Sequence, residues 1–160
     1  MSEAARSAFN PLKPHKEHYG VLKNYIDGEW VESTTDRLLD ITNPATDAVI
    51  GQVPLSTKSE MDAAVESAQE AWWDWRSTPP IVRSRYMFKI KELLEKHFED
   101  ISRVATQEHG KTIDEARGET RRAIENIETA AGIPSLMMGY NLEDGAAKNI
   151  DESVIRQPMG

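Results

Sequence analysis

The chain has 160 residues, no cysteine and a formal net charge of −8. The lack of cysteine excludes disulfides, zinc–thiolate sites and a cysteine nucleophile within these residues. An acidic chain without a basic patch disfavours nucleic acid and anionic membranes as partners, and no apolar run reaches the length of about 18 residues that a membrane span needs. The sequence therefore predicts a soluble globular protein with no nucleic-acid or membrane partner, in a reducing, cytoplasmic compartment.

The first 23 residues are predicted to be a flexible, irregular leader, because proline, glycine and scattered charges are mixed within them. They contain no apolar segment of signal-peptide length. Arg6 is their only arginine, so a solvent-exposed polar arm is favoured over a mitochondrial transit peptide, which stays open.

Short strands come next. The dipeptide Asp27-Gly28 lies between short apolar stretches and predicts a tight hairpin within residues 24–31, because both turn positions need positive φ. Two more strands are predicted over residues 38–41 and 48–53, with an Asn- and Pro-containing turn between them. These strands can pair with one another, but they are too few to close a core.

Three helices are predicted after the strands. Thr57 and Glu60 form a capping box at the start of the first helix, and Pro79-Pro80 ends that helix and begins the second. Gly110 is predicted to close the second helix in a left-handed conformation. Apolar spacing places six residues on one face of this helix: Met87, Ile90, Leu94, Phe98, Ile101 and Val104.

The third helix is predicted from about Thr112 towards Gly132, and an extended stretch over residues 149–157. No fully apolar strand precedes any helix, and neither a G-x-G-x-x-G nor a Walker loop occurs. These elements are typical of the outer layer of an α/β protein whose central sheet lies elsewhere.

Four histidines are candidate functional residues. His15 and His18 are three residues apart, as two metal ligands can be, but no carboxylate cluster or cysteine accompanies them. A solvated pair is therefore favoured over a metal site. His97 and His109 are assigned structural roles at the second helix, where the helix dipole favours a cationic His109 near the C-terminus.

Two apolar groups leave alternatives open. Trp72, Trp73 and Trp75 are predicted to be buried in a core or interface, with a stacking platform for a ring as the alternative. Residues 134–140 contain two methionines and are predicted to pack under a loop. The alternative for this segment is the wall of a substrate tunnel.

Arginines and glutamates alternate along the third helix. One interpretation is an exposed face with ion pairs along the helix, in which Arg121 or Arg122 relieves the repulsion between Glu115 and Glu119. The other interpretation is that one of the three arginines, Arg117, Arg121 or Arg122, points inward and binds an anion. The two parallel N–H donors of a guanidinium match the two oxygens of a carboxylate.

Several segments, in their order and spacing, resemble the aldehyde dehydrogenase superfamily over about residues 22–160. They are residues 25–31 (Tyr-Ile-Asp-Gly-Glu-Trp-Val), residues 43–46 (Asn-Pro-Ala-Thr), the tryptophan-bearing helix and residues 108–111 (Glu-His-Gly-Lys). The third helix and the segment after it are similar to the methylmalonate/malonate-semialdehyde dehydrogenase branch, at residues 118–119, Arg122, residues 124–126 and residues 130–139.

The resemblance implies the N-terminal portion of an aldehyde dehydrogenase fold, an α/β architecture with short antiparallel strands, three peripheral helices and an incomplete Rossmann sheet. It divides the chain into a leader at 1–23, part of the NAD-binding domain at 24–140 and the start of an oligomerisation arm at 141–160. Other aldehyde dehydrogenase subunits are the implied partners, as in a homo-oligomer.

The resemblance also implies an activity for the parent protein. In this branch a cysteine thiolate attacks a small carboxylated aldehyde, hydride passes to NAD, and the thioester is released to coenzyme A with loss of CO2. The cysteine and most NAD contacts are expected beyond Gly160. We therefore expect the 160-residue chain alone to be inactive and to bind neither NAD nor coenzyme A.

One site residue carries over. Arg122 matches the arginine with which this branch holds the substrate carboxylate, whereas Arg121 has no such match and is expected to be solvated. The monovalent-cation site of other aldehyde dehydrogenases falls near Thr42 and Glu108, where Glu replaces the Asp found in part of the family. The resemblance does not separate malonate from methylmalonate semialdehyde.

Two other hypotheses stay open. The chain could be a non-catalytic subunit or interaction module that pairs with full-length aldehyde dehydrogenase through exposed strands. It could also be an independently stable helical domain.

Overall fold

Residues 13–159 are described by a computed structural model. Their strands and helices follow in the order β1 (Asn24–Ile26), β2 (Glu29–Val31), β3 (Leu38–Thr42), β4 (Val49–Pro54), α1 (Lys58–Ser77), α2 (Pro80–Lys96), α3 (Phe98–His109), α4 (Ile113–Ala131), α5 (Ile133–Leu136), β5 (Tyr140–Leu142) and β6 (Glu152–Val154). Within this range the chain divides into two compact units, residues 13–63 with 97–121 and residues 64–96 with 122–159.

The first unit contains two antiparallel strand pairs, β1–β2 and β3–β4. In the first pair Tyr25 lies opposite Trp30, and the turn residues Asp27 and Gly28 have φ of 52° and 79°. The predicted hairpin over residues 24–31 is therefore confirmed. The second pair confirms the other two predicted strands: β3 has one residue more at its C-terminal end, and β4 is shifted by one residue, from 48–53 to 49–54.

A parallel pairing precedes β1. The backbone N–H of Tyr19 donates to the carbonyl of Ile50 at 2.7 Å, and that of Leu22 donates to Gln52 at 2.8 Å. Val21 forms a parallel bridge with Gln52. The sequence analysis missed this pairing, because backbone atoms make it and no alternating pattern marks residues 19–22. Residues 1–12 of the leader predicted at 1–23 lie outside the described residues, and the transit-peptide alternative stays a prediction.

The predicted second helix is in fact two helices. His97, with φ −105° and ψ 18°, leaves the helical conformation and separates α2 from α3. Glu99 and Asp100 then occupy the first turn of α3, where the helix dipole favours negative charge. Neither proline nor glycine marks the break, so the apolar spacing alone predicted one continuous helix.

The ends of the other helices agree with the sequence. Thr57 and Glu60 form the predicted capping box at the N-terminus of α1. Gly110 ends α3 with φ 81°, and its backbone N–H donates to the carbonyl of Thr106. The predicted third helix is α4, whose first turn carries Asp114. The short helix α5 after it was not predicted.

The second unit ends in the antiparallel pair β5–β6. Gly139 comes immediately before β5, and a Cβ on it would lie 1.6 Å from the carbonyl oxygen of Val154. This close approach requires glycine. The predicted extended stretch at 149–157 contains β6, whereas β5 was not predicted.

Few apolar side chains are buried in residues 13–159: Ile50, Pro54, Ala116, Ile124 and Ala131. On the predicted apolar face of the second helix, Ile90 is exposed, whereas Met87 and Leu94 are half-buried. All strands of the same range lie in two-stranded antiparallel pairs apart from the bridge at Val21. These short antiparallel strands and helices agree with the predicted α/β fold class. None of the helices in residues 13–159 has the length and apolarity that crossing a bilayer requires.

Candidate functional site

Arg122 lies on α4 with an exposed side chain. Among residues 13–159, none forms a hydrogen bond or ion pair with its guanidinium. The helix fixes the Cα position of Arg122, and its guanidinium extends into solvent. Exposed arginines are common on protein surfaces, so the carboxylate-binding role of Arg122 stays a prediction.

The neighbouring arginines have protein partners. Arg117 donates from Nε to Glu99 Oε1 at 2.8 Å and from Nη2 to Glu99 Oε2 at 3.0 Å. This two-pronged contact lowers the pKa of Glu99 and raises the pKa of Arg117. The Arg121 guanidinium lies 4.9 Å from the Phe98 ring centroid, so it is exposed but packs on an aromatic face rather than being fully solvated.

Glu119 is paired with a lysine from outside α4, and relief of its repulsion with Glu115 by Arg121 or Arg122 stays a prediction. Lys111, in the turn before α4, donates to the Glu119 carboxylate, and this bond lowers the pKa of Glu119. The side chain of Lys111 is largely buried, so it needs a nearby anion more than an exposed arginine does. The charges of α4 are therefore met by residues outside the helix as well as within it.

The two leader histidines have separate partners. His15 Nδ1 lies 3.1 Å from Asp100 Oδ1, whereas His18 Nδ1 accepts a hydrogen bond from the backbone N–H of Gly20 at 2.9 Å. The structure does not bring them together as ligands of one ion. Within the described part of the chain, no group of three or more His, Asp or Glu side chains is placed to hold a metal.

The remaining histidines and the expected cation site lie in the same unit. His97 lies 3.6 Å from Asp100, and His109 is in the last turn of α3, at the helix end where it was predicted. Thr42 ends β3 and Glu108 lies beside His109, and both side chains are exposed. The monovalent-cation site at these two residues stays a prediction.

The tryptophans are not buried in a core. Trp73 is 65% exposed and Trp75 is 37% exposed. No residue of α1 is fully buried. Arg76 lies about 6 Å from the rings of Trp72 and Trp73, and Trp75 contacts Tyr86 edge-on at 5.4 Å. The prediction of core burial is wrong for residues 13–159, and burial in an interface stays a prediction.

The methionine-containing segment divides its side chains between solvent and a cavity. Met138 is 70% exposed, whereas Pro134 and Met137 line a cavity of about 170 Å³. Arg156 was missed by the sequence analysis, although its guanidinium fixes this segment by donating to the carbonyls of Leu136 and Met138. Its position in an extended stretch carried no local signal of that role.

Residues 30–160 match the aldehyde dehydrogenase family, and the chain belongs to that family. The resemblance seen in the sequence is thereby confirmed.

Two of the chain's relatives are malonate-semialdehyde dehydrogenases. The chain is 48% identical over 139 residues to malonate-semialdehyde dehydrogenase of Listeria monocytogenes serotype 4a, covering 87% of this chain and 28% of the relative. It is 47% identical to malonate-semialdehyde dehydrogenase 2 of Geobacillus kaustophilus, with the same coverage. The chain therefore spans between a quarter and a third of the length of these relatives.

Solved structures confirm the predicted fold. The crystal structure of methylmalonate-semialdehyde dehydrogenase from Oceanimonas doudoroffii superimposes with a TM-score of 0.82 at 38% identity, over 88% of this chain and 28% of that one. A protein of Sinorhizobium meliloti 1021, crystallised with NAD, superimposes with a TM-score of 0.81 at 38% identity, over 89% and 29%. The chain has the fold of the N-terminal part of these enzymes.

Proposed function

We propose that the chain is part of an NAD-dependent oxidoreductase that converts malonate or methylmalonate semialdehyde to an acyl-coenzyme A with loss of CO2. The observation that carries the proposal is the 48% identity over 139 residues to a malonate-semialdehyde dehydrogenase. The NAD bound by a structural relative at 38% identity supports the choice of redox cosubstrate. Coenzyme A is proposed as the acyl acceptor because the sequence resembles the acylating branch of the family.

The described residues do not offer a complete site for NAD. A dinucleotide binds at the carboxyl edge of a parallel sheet, beside a helix N-terminus. Residues 13–159 form antiparallel strand pairs and one parallel bridge. The nucleotide is therefore expected to be held mainly by other parts of the subunit, and the thioester-forming cysteine must also come from outside this sequence, which has none.

Arg122 is proposed to hold the substrate carboxylate. Its guanidinium is exposed, and no other side chain of the described range occupies it. Its fork of parallel N–H donors fits the two oxygens of a carboxylate, which fixes the direction of a short aldehyde. In this role Arg122 orients the substrate and takes no part in bond making.

The experiment replaces the matched segment of the Listeria enzyme by this chain and compares Arg122→Ala with the unsubstituted chimera. The KM for malonate semialdehyde should rise far more than the KM for propanal, because only the first has a carboxylate. The loss is expected to be about 2–4 kcal/mol, or roughly 30- to 1,000-fold. Arg121→Ala is the control for loss of charge, and equal effects on both aldehydes in Arg122→Ala would remove the carboxylate role.

A second candidate function is a non-catalytic subunit that pairs with full-length aldehyde dehydrogenase. It is favoured by β5 and β6, whose residues are all exposed and which form a two-stranded pair with open edges. Size-exclusion chromatography of the chain mixed with the full-length Listeria enzyme tests it. Co-elution supports this function, and separate elution contradicts it.

For the first candidate function, the catalytic parent, we also propose homo-oligomeric assembly and a cytoplasmic location.

A further inference from the structure

The cavity of about 170 Å³ lies within the second unit, where α2 meets the end of α4 and the α5 segment. Trp75, Met87 and Pro134 supply much of its apolar wall, and Arg83 and Ser84 bring polar atoms to it. Ser84 already donates its hydroxyl to the carbonyl of Ala131 at 2.8 Å. Arg83 is therefore the polar residue of the cavity that still has a donor without an acceptor.

The Arg83 guanidinium lacks a charged partner. Its Nε is buried and has no hydrogen-bond acceptor among residues 13–159. Its Nη2 contacts the Met137 sulfur at 3.7 Å, and a thioether is a weak acceptor. No Asp or Glu lines the cavity. Because a buried donor without an acceptor is unfavourable, the Nε–H of Arg83 leaves room for an acceptor that the described residues do not supply.

We propose that this cavity binds a small monocarboxylate, held by the Arg83 guanidinium and covered by Met137. The two carboxylate oxygens match two N–H donors of one guanidinium. Met137 is unbranched and has three rotatable side-chain bonds, so it can move from the guanidinium to the ligand's apolar part. Trp75, Met87 and Pro134 then contact the hydrocarbon tail.

The cavity volume limits the size of the ligand. A volume of about 170 Å³ is similar to that of an engineered protein cavity of roughly 150 Å³ that holds one benzene molecule. An acid of about three carbons fits this space, and a second carboxylate would have no cation among the lining residues. Arg122 is not one of those residues, so the inference does not rest on the proposed function.

The test is a titration of the 160-residue protein with propanoate, followed by NMR of ¹³C-labelled methionine methyl groups. The methyl signals of Met87 and Met137 should shift saturably, whereas those of Met61 and the exposed Met138 should not. Arg83→Gln should weaken binding about 10- to 100-fold, as expected for loss of a charge-assisted bond. Arg85→Gln, which removes an exposed arginine two residues away, should leave the affinity unchanged.

Three results would overturn the proposal. The first is the absence of saturable shifts at Met87 and Met137 with propanoate, which would mean that a protein group must meet Arg83. The second is equal binding of propan-1-ol or of inorganic phosphate, which would show that the carboxylate is not recognised. The third is unchanged affinity in Arg83→Lys, a variant that retains the charge but not the fork and that also serves if Arg83→Gln does not fold.

Discussion

Glu60 joins the first turn of α1 to the segment before β3. Its carboxylate accepts hydrogen bonds from the backbone N–H groups of Thr57 and Thr34, each at 2.7 Å, and from the Ser33 hydroxyl at 2.8 Å. These bonds favour the ionised form and lower the pKa of Glu60 to about 2 from an ordinary 4.5. The capping box was visible in the sequence, whereas the contribution of residues 33 and 34 was not, because they are more than 25 positions away.

The stability that Glu60 adds should depend on pH. Its pKa is lower in the folded chain than in the unfolded chain, so the contribution is complete above about pH 4.5 and is lost as the pH falls towards 2. Glu60→Gln should therefore lose stability relative to the native chain at pH 6, and this difference should shrink as the pH falls through that window. Urea unfolding midpoints between pH 6 and pH 2.5 measure the effect.

Glu92→Gln is the matched control. The pKa of Glu92 is lowered mainly by the exposed side chain of Lys89, which salt screens. The donors to Glu60 are neutral and close, so its effect should persist at high ionic strength while that of Glu92 fades. Equal sensitivity of both variants to salt would contradict this account of Glu60.

At the scale of the elements, the turn between α3 and α4 depends on Gly110. It has φ 81°, and a Cβ added to it would lie 2.7 Å from Pro44 Cγ. The left-handed conformation closes α3, and the close approach of Pro44 brings the β3–β4 turn against that helix end. Both features require the smallest residue.

Gly110→Ala should destabilise the chain by about 1–3 kcal/mol, since it combines backbone strain with a steric clash. Gly118→Ala is the control, because Gly118 lies inside α4 and nothing lies within 4 Å of an added Cβ. That substitution should stabilise by roughly 0.5–1 kcal/mol through helix propensity. Chemical denaturation compares the two, and a smaller loss for Gly110→Ala than for an average surface change would contradict the strain argument.

Elements were predictable where their cause is local. The Asp27-Gly28 hairpin and the Gly110 cap follow from residues that tolerate positive φ, and both were confirmed. The break at His97 and the pairing of residues 19–22 with β4 were not predictable, because backbone hydrogen bonds and packing between distant segments decide them. No residue type marks either feature.

The candidate site was predictable to a smaller extent. Arg122 came from resemblance rather than from spacing, and the structure shows that its side chain is exposed but not what it binds. The Arg83 cavity was missed, since it depends on the side chain of Met137, more than 50 residues later. A sequence pattern cannot show which arginine lacks an acceptor.

At the scale of the whole molecule, the apolar surface is the main observation. Residues such as Trp30, at 68% exposed, and Ile155, at 72%, would be expected inside a protein that buries its own core. Since burial of apolar area is the main driving force of folding, we infer that these faces are covered in the full-length protein. The match to about 28% of the relatives' length supports this inference.

The most direct test of the central claim is turnover by two proteins, measured as NAD reduction with malonate semialdehyde and coenzyme A. The first is the Listeria enzyme with its matched segment replaced by this chain, and it should retain activity within about tenfold, or about 1.4 kcal/mol in barrier. The second is the 160-residue chain alone, which should show no turnover because it has no cysteine. Activity of the chain alone, or a folded chimera of native oligomeric state without activity, would contradict the account.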